Sequence, residues 1–322
     1  MQTFTGRVTL LAGGVGAARL LRGLTEVIKP ESLTVIVNTG DDDLFYGLHV
    51  SPDLDTIAYT LAGLAPEGRG WGIRGDTFHA LGALETYHGP GWFRLGDRDL
   101  ATHIYRTEQL RAGVPLSEVT ARILDSHGVR VRVIPATDDP LKTEIETGNG
   151  RLPFQRWLVG ERARPVVRGV RYVGARRAKP APGVIDAIAA ADRVIVAPSN
   201  PFVSIGPVLA VPGVRAALRA ARQRAVAVSP LIHGKAVKGP LVEMLRARGE
   251  SPDAFAIRDI YSGLVSHLVV APGDASSAPP ADSPAAARRR GRAAPTLVEY
   301  DILIQKKAAA VKLARALCAA TW

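Results

Sequence analysis

Short runs of apolar residues, many of them β-branched, alternate along this chain with longer stretches that have helical spacing. Runs that are apolar throughout are typical of parallel strands buried on both faces of a sheet. Six such runs predict strands at residues 8–12, 33–38, 129–134, 194–197, 225–229 and 267–270. A further strand is predicted at 296–300, followed by a helix with one apolar face at 304–317. The pattern therefore predicts an α/β fold with a Rossmann-like parallel sheet as its core.

The stretch between the second and third predicted strands is too long for a simple crossover. It contains four segments with helical spacing, at residues 54–64, 76–84, 99–110 and 116–124. We therefore expect a largely helical insertion over about 53–128 that caps the crevice at the end of the sheet. Residues 142–173 predict an antiparallel ribbon instead, with a turn at Asn149 and Gly150.

Composition divides the chain into three parts. Residues 1–272 form the predicted core with its insertion, 273–295 a low-complexity linker or loop rich in Ala, Pro and Arg, and 296–322 a strand and helix that pack on the core. The basic run 288–292 has no interleaved aromatic residues that could stack on bases. We interpret it as a solvated loop and expect no nucleic-acid partner. Of the net charge of +11, +5 lies in residues 275–322; the remaining +6 suits an enzyme whose substrates carry phosphates, with compositional bias as the alternative.

Three features of the sequence bear on location. Cys318 is the single cysteine, so an intrachain disulfide cannot form and we expect a reducing cytoplasm. Glycines, Arg19 and Arg22 interrupt the first apolar stretch, which is unlike a signal peptide. No uninterrupted apolar run approaches the roughly 20 residues of a membrane helix, so we expect no membrane partner.

A glycine-rich loop follows the first predicted strand. Gly13, Gly14 and Gly16 let the backbone approach an anion, and the helix that begins there directs unpaired N–H groups toward it. Arg19 adds a cation one turn into the helix. The dinucleotide-binding fingerprint requires Gly or Ala at the position of Arg19, so the loop predicts another kind of phosphate site. A tight strand-to-helix connection without a ligand is the alternative.

Acidic residues follow the second predicted strand and should share one crevice with the glycine loop, because parallel strands carry ligands at their carboxyl ends. Asp41, Asp42 and Asp43 come first, and Asp53 and Asp55 follow soon after. The alternative for each is a solvated turn or a helix N-cap. Five hard oxygen ligands beside a phosphate loop nevertheless favour a magnesium site.

Three further places offer polar side chains. Asp99 and His103 are four residues apart and share a helix face. They either form a structural contact with each other or face the substrate. Arg94 and Arg98 flank the start of the same helix, where they could bind phosphate or stabilise the turn. Ser199 and Asn200 follow one predicted strand and Lys235 lies beyond another, at the same end of the sheet. The alternative is that the polar residues of these two loops only form ordinary turns.

The order of these motifs, over about residues 7–272, resembles the 2-phospho-L-lactate transferase family, which builds the deazaflavin coenzyme F-420. The motifs that carry the resemblance are Gly13-Gly14-Val15-Gly16-Ala17-Ala18-Arg19, Asn38-Thr39-Gly40-Asp41-Asp42, Ser51-Pro52-Asp53-Leu54-Asp55-Thr56, Arg69-Gly70-Trp71-Gly72-Ile73, Leu95-Gly96-Asp97-Arg98-Asp99-Leu100-Ala101-Thr102-His103, Ala197-Pro198-Ser199-Asn200-Pro201 and Ser204-Ile205-Gly206-Pro207.

The resemblance implies a reaction. The donor would be a guanosine diphosphate whose terminal phosphate carries a three-carbon acid, and the acceptor the deazaflavin Fo. The primary hydroxyl of the ribityl chain would attack the acid-bearing phosphorus and release guanosine monophosphate. The acid could be 2-phospholactate, phosphoenolpyruvate or 3-phosphoglycerate, which the sequence does not distinguish.

On this resemblance we predict roles for the candidate residues. Asp41 and Asp55 would bind Mg²⁺ or Mn²⁺, and Asp42 and Asp53 would orient the metal or the acceptor hydroxyl. The glycine loop with Arg19 would hold the diphosphate. The remaining predicted contacts, to the deazaflavin, the guanosine and the phosphates, involve Trp71, Arg98, His103, Ser199, Asn200 and Lys235.

Two other functions stay open. Relatives of the family with similar glycine and Asn-Pro loops resemble regulators that bind nucleotides or nucleotide sugars without turnover, although the acidic motifs here favour the transferase. A nicotinamide-dependent dehydrogenase is disfavoured by Arg19. We also predict that the enzyme is a homodimer.

Overall fold

The computed structural model describes residues 4–66, 70–89, 91–276 and 293–319. Its strands in chain order are β1 (Val8–Ala12), β2 (Leu33–Val37), β3 (Asp43–Phe45), β4 (Leu48–Val50), β5 (Arg132–Pro135), β6 (Lys142–Thr147), β7 (Gly150–Pro153), β8 (Val167–Val173), β9 (Arg193–Val196), β10 (Ala225–Val228), β11 (Leu231–Ile232), β12 (Lys235–Ala236), β13 (His267–Val270) and β14 (Thr296–Glu299).

The helices of the described residues are α1 (Gly14–Leu24), α2 (Pro52–Leu61), α3 (His79–His88), α4 (Asp97–Arg111), α5 (Leu116–Ser126), α6 (Val184–Ala190), α7 (Ile205–Ala210), α8 (Val214–Ala220), α9 (Leu241–Ala247), α10 (Ala254–Ile260) and α11 (Lys307–Ala319). Shorter helical turns cover Pro30–Ser32, Arg156–Gly160 and Arg222–Arg224.

Seven strands form one parallel sheet in the order β14-β13-β10-β9-β1-β2-β5. The chain starts in the middle at β1, builds one side through β2 and β5, and then returns to β9 to build the other side. This is the doubly wound arrangement, and the point where the order reverses lies between β1 and β9. The predicted α/β fold with a Rossmann-like parallel sheet is confirmed.

The sheet separates two apolar cores. All five residues of β1 are buried, and Leu10 and Leu11 point to opposite faces of the sheet. Leu11 packs in one core with Ile36, while Leu10 packs in the other with Val35. Burial on both faces explains why these strands are apolar without alternation.

The segment between β2 and β5 contains helices α2 to α5, as the long separation predicts. It also contains the short antiparallel hairpin β3–β4, which the acidic composition after β2 did not indicate. Phe45 of this hairpin is buried and stacks on Phe93 with ring centroids 3.6 Å apart. The hairpin is therefore held by aromatic packing against the chain that precedes α4.

The antiparallel ribbon consists of β6, β7 and β8. The prediction that residues 157–159 belong to it is wrong, because Arg156–Gly160 is a π-helical turn. The turn buries the Trp157 indole, which is 1% exposed and donates a hydrogen bond to the Pro165 carbonyl oxygen at 2.8 Å. Burial of this large side chain decides the local conformation.

The last described strand and helix adjoin the core. Strand β14 extends the sheet beside β13, and α11 packs on α1. Gly23 of α1 lies so close to α11 that a Cβ atom there would overlap the Ala310 carbonyl group. Most of the predicted low-complexity linker, 277–292, lies outside the described residues.

None of the helices in the described ranges is long and apolar enough to cross a membrane.

Candidate active site

A cavity of about 600 Å³ opens at the carboxyl ends of β1 and β9, where the strand order reverses. Of the candidate residues named from the sequence, it is lined by Gly13, Gly14, Gly16, Arg19, Asp41, Asp53, Asp55, Trp71, Arg94, Asp99, His103, Ser199 and Asn200. The other four, Asp42, Asp43, Arg98 and Lys235, do not line it. Ligands of doubly wound sheets bind at this position, so the cavity is the candidate active site.

The glycine loop is packed tightly against its surroundings. A Cβ atom at Gly13 would lie 2.7 Å from Ser204 Cβ and 2.8 Å from Asp53 Oδ2, and one at Gly16 would overlap the Pro198 carbonyl oxygen. Ser199 fixes the loop further, since its hydroxyl donates to the Gly13 carbonyl oxygen at 2.6 Å. Close approach to the segment after β9 therefore requires these glycines independently of any ligand.

Two carboxylates, Asp41 and Asp53, share one amide donor. The Asn38 side-chain nitrogen lies 2.9 Å from Asp41 Oδ1 and 2.9 Å from Asp53 Oδ2. Gln155 donates to the other oxygen of Asp41 at 2.9 Å, and the Gly14 backbone N–H donates to Asp53. Asn38 is fully buried at the end of β2, so it brings the two acids together at the start of α1.

The electrostatics of this pair are unfavourable when both acids are ionised. Burial, together with the charge of Asp42, raises the pKa of Asp53 to about 7 despite its hydrogen bonds. Burial and the charges of Asp53 and Asp42 raise the pKa of Asp41 well above its ordinary value. A cation between the carboxylates would remove both penalties.

These oxygens fit a magnesium ion. Mg²⁺ uses one or two protein carboxylates and completes its shell with water and substrate phosphates. The described ranges contain no group of three or more His, Cys, Asp or Glu that could hold a metal ion. Asp41 and Asp53 are the two acids whose surroundings fit this role.

Asp55, which the sequence predicts as a metal ligand, has a different partner. Both of its oxygens accept hydrogen bonds from Arg106, one of them from Nη1 at 3.1 Å and the other from Nη2. Arg106 is 2% exposed, so the pair is buried. This bidentate geometry anchors Asp55 to α4, and a metal-binding role for Asp55 stays a prediction.

Arg106 belongs to a polar chain between α2 and α4. Arg106 Nη1 lies 3.2 Å from His103 Nδ1, which must accept because a guanidinium only donates. His103 Nε2 lies 3.2 Å from Asp99 Oδ1, and the Tyr59 hydroxyl donates to that same oxygen at 2.7 Å. Burial acts to raise the pKa of Asp99, but its contacts with His103 and Tyr59 outweigh it and lower that pKa.

Asp42 lies behind the cavity. Its Oδ2 accepts from the Ser51 hydroxyl at 2.6 Å and lies 3.3 Å from His49 Nε2. Burial raises the pKa of Asp42, although these two contacts act to lower it. The arrangement connects the β3–β4 hairpin to the start of α2, so contact of Asp42 with the acceptor hydroxyl stays a prediction.

Aromatic side chains form another part of the cavity wall. Trp71 is 40% exposed and lines the cavity together with Trp92 and Phe93. The Arg156 guanidinium lies over the Trp92 ring, 5.3 Å from its centroid. Planar apolar surface of this kind suits a planar ligand ring.

The remaining predicted contacts are less direct. Asn200 lines the cavity, but its Oδ1 accepts from the Phe202 backbone N–H at 2.9 Å and so forms a turn. Arg98 has an exposed side chain at the start of α4. Lys235 on β12 and Lys238, three residues further on, are both exposed, but only Lys238 lines the cavity.

Sequence reasoning missed several of these residues. Asp99, His103 and Arg106 follow one another at spacings of four and three, which place all three on one helix face, so a signal for Arg106 was present. Asn38 ends a predicted strand, which also marks it as a candidate. Gln155 lies near Asp41 because the antiparallel ribbon positions it there, and no local sequence pattern indicates this contact.

Fold and site together define a Rossmann-like α/β enzyme with a buried carboxylate pair beside a glycine loop. A model of the family described as 2-phospho-L-lactate transferase CofD matches residues 8–312. The chain therefore belongs to this family and is a transferase, which confirms the resemblance seen in the motifs.

Individual relatives agree. A protein of Nocardia farcinica is 47% identical over 263 residues, with 79% of each chain covered. One from Streptomyces coelicolor is 46% identical over 277 residues, covering 84% of this chain and 87% of its own. One from Mycobacterium sp. strain KMS is 41% identical over 295 residues, covering 84% and 89%. All three are named phosphoenolpyruvate transferase.

Solved structures support the fold. A crystal structure of the UPF0052-family protein BH3568 from Bacillus halodurans superposes with a TM-score of 0.60 at 18% identity, covering 98% of this chain and 99% of that one. A second crystal structure of the same protein gives a TM-score of 0.57. At this identity the likeness concerns the fold alone.

Proposed function

We propose that this transferase moves a phosphoenolpyruvyl group from a guanosine diphosphate-linked donor to the deazaflavin Fo in coenzyme F-420 biosynthesis. The name shared by relatives 41–47% identical to the chain supports phosphoenolpyruvate over 2-phospholactate and 3-phosphoglycerate. The observation that carries the reaction class is the Asp41–Asp53 pair, because two buried carboxylates that resist joint ionisation beside a glycine loop suit metal-assisted chemistry on phosphates.

In this proposal the ribityl hydroxyl oxygen of Fo forms a new bond to the acid-bearing phosphorus. The bond from that phosphorus to the bridging oxygen breaks, guanosine monophosphate leaves with this oxygen, and the hydroxyl proton is lost. Such a displacement depends on positioning and neutralisation of charge, so no covalent protein intermediate is needed. A bound Mg²⁺ or Mn²⁺ would supply Lewis-acid stabilisation of the phosphate oxygens.

The chain's own residues have separate tasks. Asn38 and Gln155 hold Asp41 and Asp53 toward the cavity by hydrogen bonds. The first turn of α1 with Arg19 offers positive potential to the diphosphate. Trp71 and Trp92 offer flat surface to the deazaflavin rings. We further propose a cytoplasmic homodimer, which a mass measurement in solution would check.

Product analysis with a matched pair of variants tests the proposal. Wild-type protein is incubated with Fo, Mg²⁺ and each of the three guanosine-linked acids, and the products are identified by mass spectrometry. We expect the phosphoenolpyruvyl adduct and guanosine monophosphate. Asp41→Asn should lower turnover at least a hundredfold because it removes a charge that faces the metal and the phosphates.

Asp43→Asn is the control for Asp41→Asn. Asp43 lies in the same acidic run, but it pairs with Lys142 at 2.7 Å and does not line the cavity, so its variant should retain turnover within about threefold. Full activity in excess chelator would contradict the metal requirement. Tight binding of a nucleotide sugar without turnover of any donor would favour the regulator instead.

A further inference from the structure

Asp99, in the first turn of α4, is a buried carboxylate on the cavity wall. Its Oδ1 accepts a hydrogen bond from the Tyr59 hydroxyl at 2.7 Å and lies 3.2 Å from His103 Nε2. Its Oδ2 accepts no hydrogen bond from any residue that the structure describes. Oδ2 is therefore the oxygen that a ligand in the cavity can contact.

Contacts with three parts of the chain fix the direction of this carboxylate. The Asp99 backbone N–H donates to Asp76 Oδ2 at 3.0 Å, which holds the first turn of α4 in place. Tyr59 brings its hydroxyl from α2. On α4 itself, His103 Nδ1 accepts from Arg106, so the hydrogen of the neutral imidazole is on Nε2, beside Asp99 Oδ1. Asp99 is thus a hydrogen-bond acceptor whose position is set before any ligand binds.

The negative charge of Asp99 is stabilised by the protein, in contrast to the charges of Asp41 and Asp53. Burial acts to raise the pKa of Asp99, but the contacts with His103 and Tyr59 lower it, so Asp99 is ionised at neutral pH. An ionised carboxylate only accepts hydrogen bonds, so its free oxygen needs a donor. A hydroxyl group of a ligand is such a donor, whereas the Asp41–Asp53 pair requires a cation.

The segment that leads into Asp99 also carries aromatic wall. Trp92 and Phe93 line the cavity shortly before α4 begins. A planar ring that packs on these side chains would place the hydroxyl chain attached to it in the same cavity as Asp99. Asp42, which the sequence resemblance connects with the acceptor hydroxyl, does not line the cavity.

We propose that Asp99 is the catalytic residue that accepts the hydrogen bond, and then the proton, of the hydroxyl group that attacks phosphorus. The identity of the acceptor rests on the proposed function, whereas the role of Asp99 rests on its free oxygen and its place on the cavity wall.

The step balances without a further reactant. As the hydroxyl oxygen of the acceptor bonds to phosphorus, its O–H bond breaks and the proton moves to Asp99 Oδ2. The bond from phosphorus to the bridging oxygen breaks, and guanosine monophosphate leaves with that oxygen. The hydroxyl proton becomes acidic as the new bond forms, so a fixed, ionised acceptor is sufficient. Asp99 returns the proton to water after the products leave.

Binding of two acceptors tests the contact without turnover. One is Fo, and the other is a deoxy analogue in which hydrogen replaces the terminal ribityl hydroxyl. Both are titrated by calorimetry against wild type, Asp99→Ala and Glu108→Ala. We expect wild type to bind Fo at least tenfold more tightly than the analogue, and Asp99→Ala to prefer it by about twofold or less. Each preference compares two ligands on one protein, so partial unfolding of a variant does not alter it.

Glu108→Ala is the matched control. Glu108 is an exposed acid of the same helix and does not line the cavity, so its variant should keep the wild-type preference. Turnover then tests the proton transfer. Asp99→Asn keeps the size of the side chain but is not a base, and we expect its kcat to fall at least a hundredfold while KM for the donor changes about threefold or less.

Every outcome decides one part. Equal binding of Fo and its analogue to wild type, or an unchanged preference in Asp99→Ala, would overturn the contact. If the preference is lost but Asp99→Asn retains kcat, Asp99 binds the hydroxyl and does not take its proton. Normal transfer by wild type without the contact removes the role of Asp99 only. If wild type transfers nothing, yet its preference for Fo is lost in Asp99→Ala, the contact stands and the transfer proposal fails.

Discussion

Asn38 has more influence on the candidate active site than its uncharged side chain suggests. Its Oδ1 accepts from the Gly40 backbone N–H at 2.8 Å, which turns its NH₂ group toward Asp41 and Asp53. The same nitrogen lies 3.3 Å from the Val203 carbonyl oxygen, in the segment after β9. A single amide therefore joins both sides of the strand reversal and sets the direction of the two acids.

Arg106 has a comparable role on the other side of the site. Arg106→Met would leave Asp55 buried without its partner, and we expect a loss of about 3–5 kcal/mol in the free energy of unfolding. The double variant Arg106→Met with Asp55→Leu should be less destabilised than Arg106→Met alone. Urea denaturation of both single variants and the double variant measures this coupling. Additive losses would show that the ion pair does not hold α4 to α2.

At the level of helices, the site is assembled by contacts between elements that are far apart in the chain. Helix α2 contributes Asp55 and Tyr59, four residues apart on one face, and α4 presents Asp99, His103 and Arg106 to them. Packing of α1 on α11 supports the opposite side of α1. The glycine loop is thus fixed at its start by Ser199 and along its helix by α11.

The close packing of α1 on α11 predicts that replacing Gly23 with Ala changes stability in the opposite direction from replacing the exposed Gly82 of α3 with Ala. Gly→Ala within a helix ordinarily stabilises a protein by about 1 kcal/mol. At Gly23 the new Cβ would overlap the Ala310 carbonyl group, so we expect Gly23→Ala to destabilise by about 1–3 kcal/mol. Gly82 of α3 is exposed and has nothing within 4 Å of a Cβ position, so Gly82→Ala should stabilise the protein. Melting curves of both variants provide the comparison, and similar shifts would contradict the close packing.

Across the whole molecule, the features that could be predicted from the sequence are those that the local hydrophobic pattern determines. The inner sheet strands were found because residues such as those of β1 are buried on both faces and hence apolar, whereas the edge strand β14 has no buried residue. Residues 157–159 were misassigned because Trp157 is buried by a turn whose apolar run resembles a strand. The positions of the motifs likewise predicted that Asp41 and Asp53 lie in one crevice.

Contacts over long sequence separations could not be predicted. Nothing near Asp55 indicates that Arg106, on another helix, occupies both of its oxygens. Nothing near Lys235 indicates that Lys238, three residues further on, lines the cavity in its place. Both outcomes depend on how α4 and the β12–α9 loop pack, which is decided by tertiary structure.

The carboxylate pair should make the stability of the entire protein depend on pH. Burial raises the pKa of Asp53 from its ordinary value of 3.8 to about 7, so between these values the folded state holds a proton that the unfolded state has lost. The free energy of unfolding should therefore fall as pH rises from about 4 to 7 in metal-free protein. Asp53→Asn removes this penalty, and it also lowers the pKa of Asp41 by removing a neighbouring charge.

We expect Asp53→Asn, compared with wild type, to gain about 3 kcal/mol of stability between pH 5 and pH 8, because about two pKa units lie between pH 5 and the Asp53 pKa of about 7, at about 1.4 kcal/mol per unit. Urea denaturation at the two pH values in excess chelator measures the change. Adding Mg²⁺ at pH 8 should stabilise wild type and leave Asp53→Asn nearly unchanged, because only wild type then has two ionised acids to neutralise. A stability difference that is the same at both pH values would show that Asp53 is ionised in the folded protein throughout this range. The unfavourable pair that supports a cation at Asp41 and Asp53 would then be absent.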